Sequence, residues 1–178
     1  MSTGFAPSAP PLPSDSVGFR VPPHNYEAEQ ALLGAILLSN RAYERVSEFL
    51  RPDHFADPVH GRIFAACGKL IERGQMANPV TLKTFFESDG GLAEIGGTNY
   101  LAQLANAVVS VINAEEYGAL VFDLHLRREL IGLGEDIVNA AFTPDLDTSA
   151  MNQIGQAEAR LYDLATTGQT EGGFEDFG

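Results

Sequence analysis

Five places in the sequence carry residue types that do chemistry in other settings. Gly68-Lys69 is the only Gly-Lys pair. A phosphate loop needs G-x-x-x-x-G-K-[ST], with glycine amides to cradle phosphate and a hydroxyl for magnesium. Here Leu70 follows the lysine and Ile63 stands where the first glycine belongs, so Lys69 reads as a solvated helix residue. Asp53, His54, Asp57 and His60 form a small set of metal-ligating types, but the two histidines stand six apart across a proline-containing break, which is no zinc spacing. They read better as a helix cap (Asp57) and partly buried, hydrogen-bonded histidines. Cys67 falls on an apolar helical face with no acid or base at helix-neighbour spacing, which makes it a core thiol. Gly96-Gly97-Thr98 could cradle an anion on backbone N–H groups. No basic residue is near it, and a structural turn is the better reading. Arg127-Arg128 either reaches a carboxylate across an interface or stands in solvent. No nucleophile, base and oxyanion donor come together, so on its residues the chain is non-catalytic, with no catalytic, cofactor-binding or metal site.

Charge narrows the partners. Acids outnumber bases 24 to 11 for a net charge of −13, and from Glu129 to Gly178 there are ten acids and one base, Arg160. Affinity for nucleic acid rests mostly on Lys and Arg neutralising phosphates, so this chain is poorly suited to gripping DNA by itself. An acidic surface suits a basic protein partner or plain solubility. No uninterrupted apolar run approaches a membrane span, and the N-terminus lacks a basic stretch followed by an apolar core. A cytoplasmic location with no membrane contact is the expectation. The single cysteine excludes an internal disulfide.

The elements that must position any surface are helical throughout. Residues 1–22, with five of the ten prolines, read as a disordered arm. Residues 23–112 read as a globular helical subdomain. Asn25 caps a first helix whose apolar set is Ala28, Leu32, Leu33, Ile36 and Leu37. A short second helix carries Tyr43, Val46 and Phe49. Asp57-Pro58 starts a third, which Gly74 ends. A fourth carries Leu82, Phe85 and Phe86 and stops at Gly90-Gly91, and Thr98 caps a fifth. Residues 113–166 read as a helical hairpin. Asn113 with Glu116 resembles a capping box, and a long helix runs from Ala114 to Phe142 before Thr143-Pro144. It has one apolar stripe at Phe122, Leu126, Leu130, Leu133 and Ile137, and a second that includes Tyr117, Leu120, Leu124, Ile131 and Val138. Asp147 or Thr148 caps a last helix with a heptad seam at Ala150, Ile154, Ala157, Leu161 and Leu164. One partner helix buries one stripe. The other meets the globular part or a second chain. Residues 167–178 read as the start of a linker in which Phe174 and Phe177 call for a covering surface.

Three segments in order resemble one family. Pro23 to Leu37, reading Pro-His-Asn-Tyr-Glu-Ala-Glu-Gln-Ala-Leu-Leu-Gly-Ala-Ile-Leu, is similar to the opening of DnaB-type replicative DNA helicases. Asp53-His54-Phe55 with His60 and Ile63-Phe64 resembles their next signature. Thr81-Leu82, Leu92 and Ile95-Gly96-Gly97-Thr98-Asn99-Tyr100-Leu101 resemble the third. The resemblance covers roughly residues 22–166. It implies an all-α N-terminal domain, a globular bundle followed by a long hairpin. In that family such domains pair through their hairpins into a collar on a hexameric ring that unwinds DNA at the replication fork, and the collar supports assembly and receives primase. The hairpin positions expected at the interface are Phe122, Leu126, Leu130, Ile137, Ile154 and Leu161, with polar substitution at Leu126 or Leu130 expected to damage pairing. The ATP- and magnesium-binding motor, through which the family contacts DNA, would follow a linker. The chain stops inside that linker, and the dangling phenylalanines favour a piece of a full helicase. A free-standing helical adaptor or regulator that associates with the ring is the alternative.

Overall fold

The computed structural model describes residue 4 and residues 20–107, 113–143 and 145–172, the last four by backbone alone. The arm expected over residues 1–22 lies largely outside that range, as do Pro144, Phe174 and Phe177. Among the described residues the chain is all-helical: α1 (Tyr26–Leu38), α2 (Arg41–Val46), a 3-10 turn (Pro52–His54), α3 (Pro58–Glu72), α4 (Pro79–Asp89), α5 (Gly97–Asn106), α6 (Ala114–Phe142) and α7 (Ala150–Gly172).

The helices begin and end for local reasons. The Asn25 side chain accepts from the Ala28 amide, and Asp57 accepts from Val59 at 2.9 Å with Pro58 next in line. Asn78 and Thr81 form a reciprocal box at the start of α4. Gly74 and Gly90 both take left-handed backbone just past a helix, at φ of 74° and 71°, where a side chain would be strained.

Five sequence expectations about caps and ends need correction. Thr98 is inside α5. The residue before that helix is Gly96, at φ 98°, because the chain enters through left-handed backbone that threonine resists. Asn113 makes no capping hydrogen bond. Before α7, Asp145 collects the Asp147 amide and the Thr148 hydroxyl into a turn, and Ser149 Oγ accepts from Asn152, so serine takes the cap. Phe49 lies in the turn after α2 rather than on it. Helix α7 also continues to Gly172, past the point where residues 167–178 read as a linker.

The core is one cluster drawn from α1 to α5 and the first half of α6. Leu32, Leu33, Ile36, Ile63, Leu82, Leu101 and Leu104 are fully enclosed. Helix α6 is rooted in it. Gly118 lies against α2 so closely that an added methyl would stand 2.8 Å from Val46, and Val121 and Phe122 are buried. Among the described residues, α6 leaves the core beyond Arg128 and runs beside α7. The pairing is antiparallel. Gln153 donates to the Ala140 carbonyl at 3.1 Å, Arg160 pairs with Asp136 at 2.9 Å, and Gly168 lies against Leu126. Helix α7 thus returns to the globular head.

Candidate interaction surface

The residues expected at the interface divide into three environments. Phe122 is 4% exposed and packs edge-on to Phe49, inside the chain's own core. Leu126 is half-buried between that core and Gly168 of α7. Leu130, Ile137, Ile154 and Leu161 are 49%, 44%, 52% and 51% exposed. These last four line an open groove of about 590 Å3 between α6 and α7, with Leu133 and Ala157 also in its wall. The heptad seam of α7 therefore meets α6 without closing over it. Ile131, Val138 and Phe142 add further exposed apolar surface on α6, and Met151 and Tyr162 on α7. Exposed apolar side chains in this number on a two-helix arm make it the candidate interaction surface. Its surroundings are acidic, with Glu129, Glu135, Asp136, Glu158 and Asp163 on the same two helices.

The root of the arm is held by polar side chains. Arg127 and Arg128, one motif in the sequence, do different things. Arg127 pairs with Asp123 in solvent at 2.8 Å. Arg128 is half-buried and donates from Nη1 to the Pro23 carbonyl and from Nη2 to the His54 carbonyl, both at 2.8 Å. Those two charge-assisted bonds tie α6 to the start of the head and to the 3-10 turn. Beside them the His54 ring lies 4.3 Å from that of His125 of α6, tilted by 30°, and accepts from the Arg51 amide.

His54 and His60 are not brought together as a pair. His54 faces α6. His60, 1% exposed, faces α1 and α5: its Nε2 meets the Tyr100 hydroxyl, and its Nδ1 lies 3.7 Å from a carboxylate oxygen of Glu29. Glu29 is 2% exposed and accepts from the Asp57 amide at 3.2 Å, while Gln30 donates to Tyr100. Among the described residues, Glu29 Oε2 and His60 Nδ1 have no hydrogen-bond partner. Both histidines are more buried than the sequence suggested. Glu29 as a core residue was missed, although it precedes Leu32, Leu33 and Ile36 at spacings of three, four and seven and so shares their face. Cys67 is in the core, where burial pushes its thiol up to about 12. No group of three metal-ligating side chains, and no helix long and apolar enough to cross a membrane, occurs among the described residues.

The setting of His54 makes a pH prediction. Burial, with His125 as the next cause, pulls its imidazole down to about 4 from 6.5. The unfolded chain therefore takes up this proton first as pH falls. The contribution to stability is complete above 6.5 and is lost as pH drops through that value toward 4. His54→Asn keeps an acceptor for the Arg51 amide but does not titrate. Urea melts at about pH 7 and about pH 4.5 should show a smaller loss in the variant than in the parent. Equal losses would refute the assignment.

Comparison with known proteins agrees with this architecture. Residues 21–123 match the family described as DnaB-like helicase N terminal domain. The chain is 45% identical over 159 residues to the replicative DNA helicase DnaB of Rickettsia typhi, covering 89% of this chain and 32% of that protein. It is 35% identical over 154 residues to the DnaB of Treponema pallidum, covering 86% and 35%. It thus spans about a third of the length of the curated relatives it matches. Among solved structures, the N-terminal domain of DnaB helicase from Mycobacterium tuberculosis superposes with a TM-score of 0.73 at 34% identity, over 80% of this chain and 99% of that one. A DnaB-like replicative helicase described with its interactions with primase gives 0.62 at 26% identity, over 79% and 31%.

Proposed function

This chain belongs to the DnaB-like helicase N-terminal domain family, and from that premise we propose that it is a collar domain whose hairpin pairs with the hairpin of a second copy. The observation that carries this reading is the groove between α6 and α7, where four large aliphatic side chains remain about half exposed. Leaving such side chains in water forgoes roughly 1.5–3 kcal/mol for each one fully buried. A second hairpin laid across the groove recovers much of that at two symmetry-related places, since a two-fold contact uses the same patch on both copies.

The wider role follows as part of the same proposal. Three such pairs would form the collar of a hexameric helicase that unwinds DNA at the replication fork. ATP and magnesium belong to the motor domain of that larger protein, and so does DNA contact. A net charge of −13 supports this division, because it weakens any grip on phosphates by the collar itself. Primase is the proposed external partner, received on the collar, and the setting is cytoplasmic. The test is sedimentation equilibrium of the chain at tens of micromolar, followed by titration with cognate primase. A dimer that binds primase supports the reading, and a strict monomer ends the hairpin pairing.

A further inference from the structure

A second groove, on the head, is left without a role by hairpin pairing. It lies between α2 and α3 and encloses about 540 Å3. Its floor is aromatic: the Tyr43 ring lies 5.2 Å from that of Phe64, and Gly68, which has no side chain, lets the Tyr43 phenol lie close over α3. Arg51 and Lys69 stand exposed on its rim, with Glu72 beside them. Neither cation makes an ion pair among the described residues. Arg51 donates to the Ser47 carbonyl, and the Lys69 ammonium lies over the Phe85 ring. The setting stands apart from the rest of the chain. Residues 41–73, which hold α2 and α3, carry six of the eleven bases against five acids, whereas residues 129–178 carry ten acids and one base. The head thus offers an aromatic groove with a basic rim, and the hairpin is the acidic part of the same chain.

The hairpin has a face that pairing leaves open. Met151, Gly155, Glu158 and Tyr162 recur along α7 at spacings of four, three and four, which is one side of a helix. Met151 and Tyr162 are largely exposed, and neither they nor Gly155 line the groove assigned to pairing, which Glu158 borders. A methyl added at Gly155 would meet nothing within 4 Å, so another surface has room to approach the backbone there. A ring with a carboxylate one turn before it matches an aromatic floor with cations on its rim. We propose that this face of α7 docks, as a helix in a groove, between α2 and α3 of a copy outside its own hairpin pair. The Tyr162 ring then lies on the Tyr43–Phe64 floor, with Glu158 beside Lys69 and Arg51. The contact sets one surface against a different one, so it runs on from pair to pair and can close into a ring. It rests on the hairpin-pairing reading for the units it joins, but the two contacts use separate surfaces.

Sedimentation velocity over a concentration series tests this. In low salt the parent chain should form pairs that go on to larger assemblies. At about 1 M salt, where screening acts over about 3 Å, the larger assemblies should dissolve and the pairs remain. Lys69→Glu and Tyr162→Ser should each keep the pairs and weaken the second step by about tenfold or more. Both side chains are exposed, so thermal melts should stay at the parent value. Adding Glu158→Lys to Lys69→Glu reverses the charges on both sides of the contact and should restore the larger assemblies. A parent chain that stops at pairs in low salt overturns the proposal and leaves hairpin pairing intact. Assembly that persists undiminished in both single variants overturns it as well, and so does a double variant that assembles no better than Lys69→Glu. Assembly that depends on Lys69 and Tyr162 but is unmoved by Ile137→Asp supports this contact and ends the pairing instead.

Discussion

If the hairpins pair as proposed, Ile137→Asp is expected to leave a monomer with its head folded. The residue lies nine positions beyond Arg128, outside the core cluster and in the groove between α6 and α7. It is 44% exposed in the single chain, so an aspartate there stays in water and disturbs little. In the pair, the same position would be covered. The substitution then removes an aliphatic side chain and asks a carboxylate to desolvate, at two symmetry-related places. A cost of about 3–5 kcal/mol is the scale for an uncompensated buried charge, which corresponds to a weakening of more than about 100-fold. Leu161→Asp on α7 should act alike, because it borders the same groove. Sedimentation velocity reads the change, and circular dichroism checks that helicity and melting stay near the parent values. Leu126→Asp is a poorer probe, since Leu126 also packs on the head. Phe122→Asp would unfold the domain rather than report on pairing. If Ile137→Asp and Leu161→Asp both leave the dissociation constant unchanged, the groove is not the pairing surface.

The contrast between Phe122 and Ile137 shows where the sequence was legible and where it was not. Both fall on one apolar stripe at helical spacing, and periodicity treats them alike. It fixes which face of α6 is apolar but not what covers each turn of it. That depends on how far the head extends along the helix, a tertiary fact set by the packing of α1 and α2 against residues before Arg128. The long helix itself, its end at Phe142 and the Asp57-Pro58 start were readable because Pro, Asp and Asn act locally. The caps that were misassigned, at Thr98 and at Asp147 or Thr148, sit in stretches with several capping types in a row. There the winner is chosen by backbone entry: left-handed at Gly96, an Asp145 turn before Ser149. Arg128 offered no local signal, since its two acceptors lie 105 and 74 residues away along the chain.

The largest effect on the head itself is expected at His60. His60→Leu is similar in bulk and apolar, so the cavity term is small. What it removes is polar. The Tyr100 hydroxyl loses its imidazole partner, and the Glu29 carboxylate, 2% exposed, is left facing a hydrocarbon with only the Asp57 amide to meet it. Leaving buried polar groups short of a polar neighbour costs about 1–3 kcal/mol. On a chain of this size that lowers the melting temperature by about 3–10 °C. The three segments that carry the family resemblance each feed this cluster: Glu29 and Gln30 from the first, His60 from the second, Tyr100 from the third. Their meeting joins α1, α3 and α5, so the loss is felt across the head rather than at one helix. The decisive comparison is a double substitution. With Glu29→Leu added to His60→Leu, the stranded carboxylate is gone, and the pair should cost less than the sum of the two single changes. Thermal melts of the four proteins measure the coupling. Strict additivity would mean that Glu29 and His60 act independently, and the cluster would then be two separate buried polar groups rather than one network.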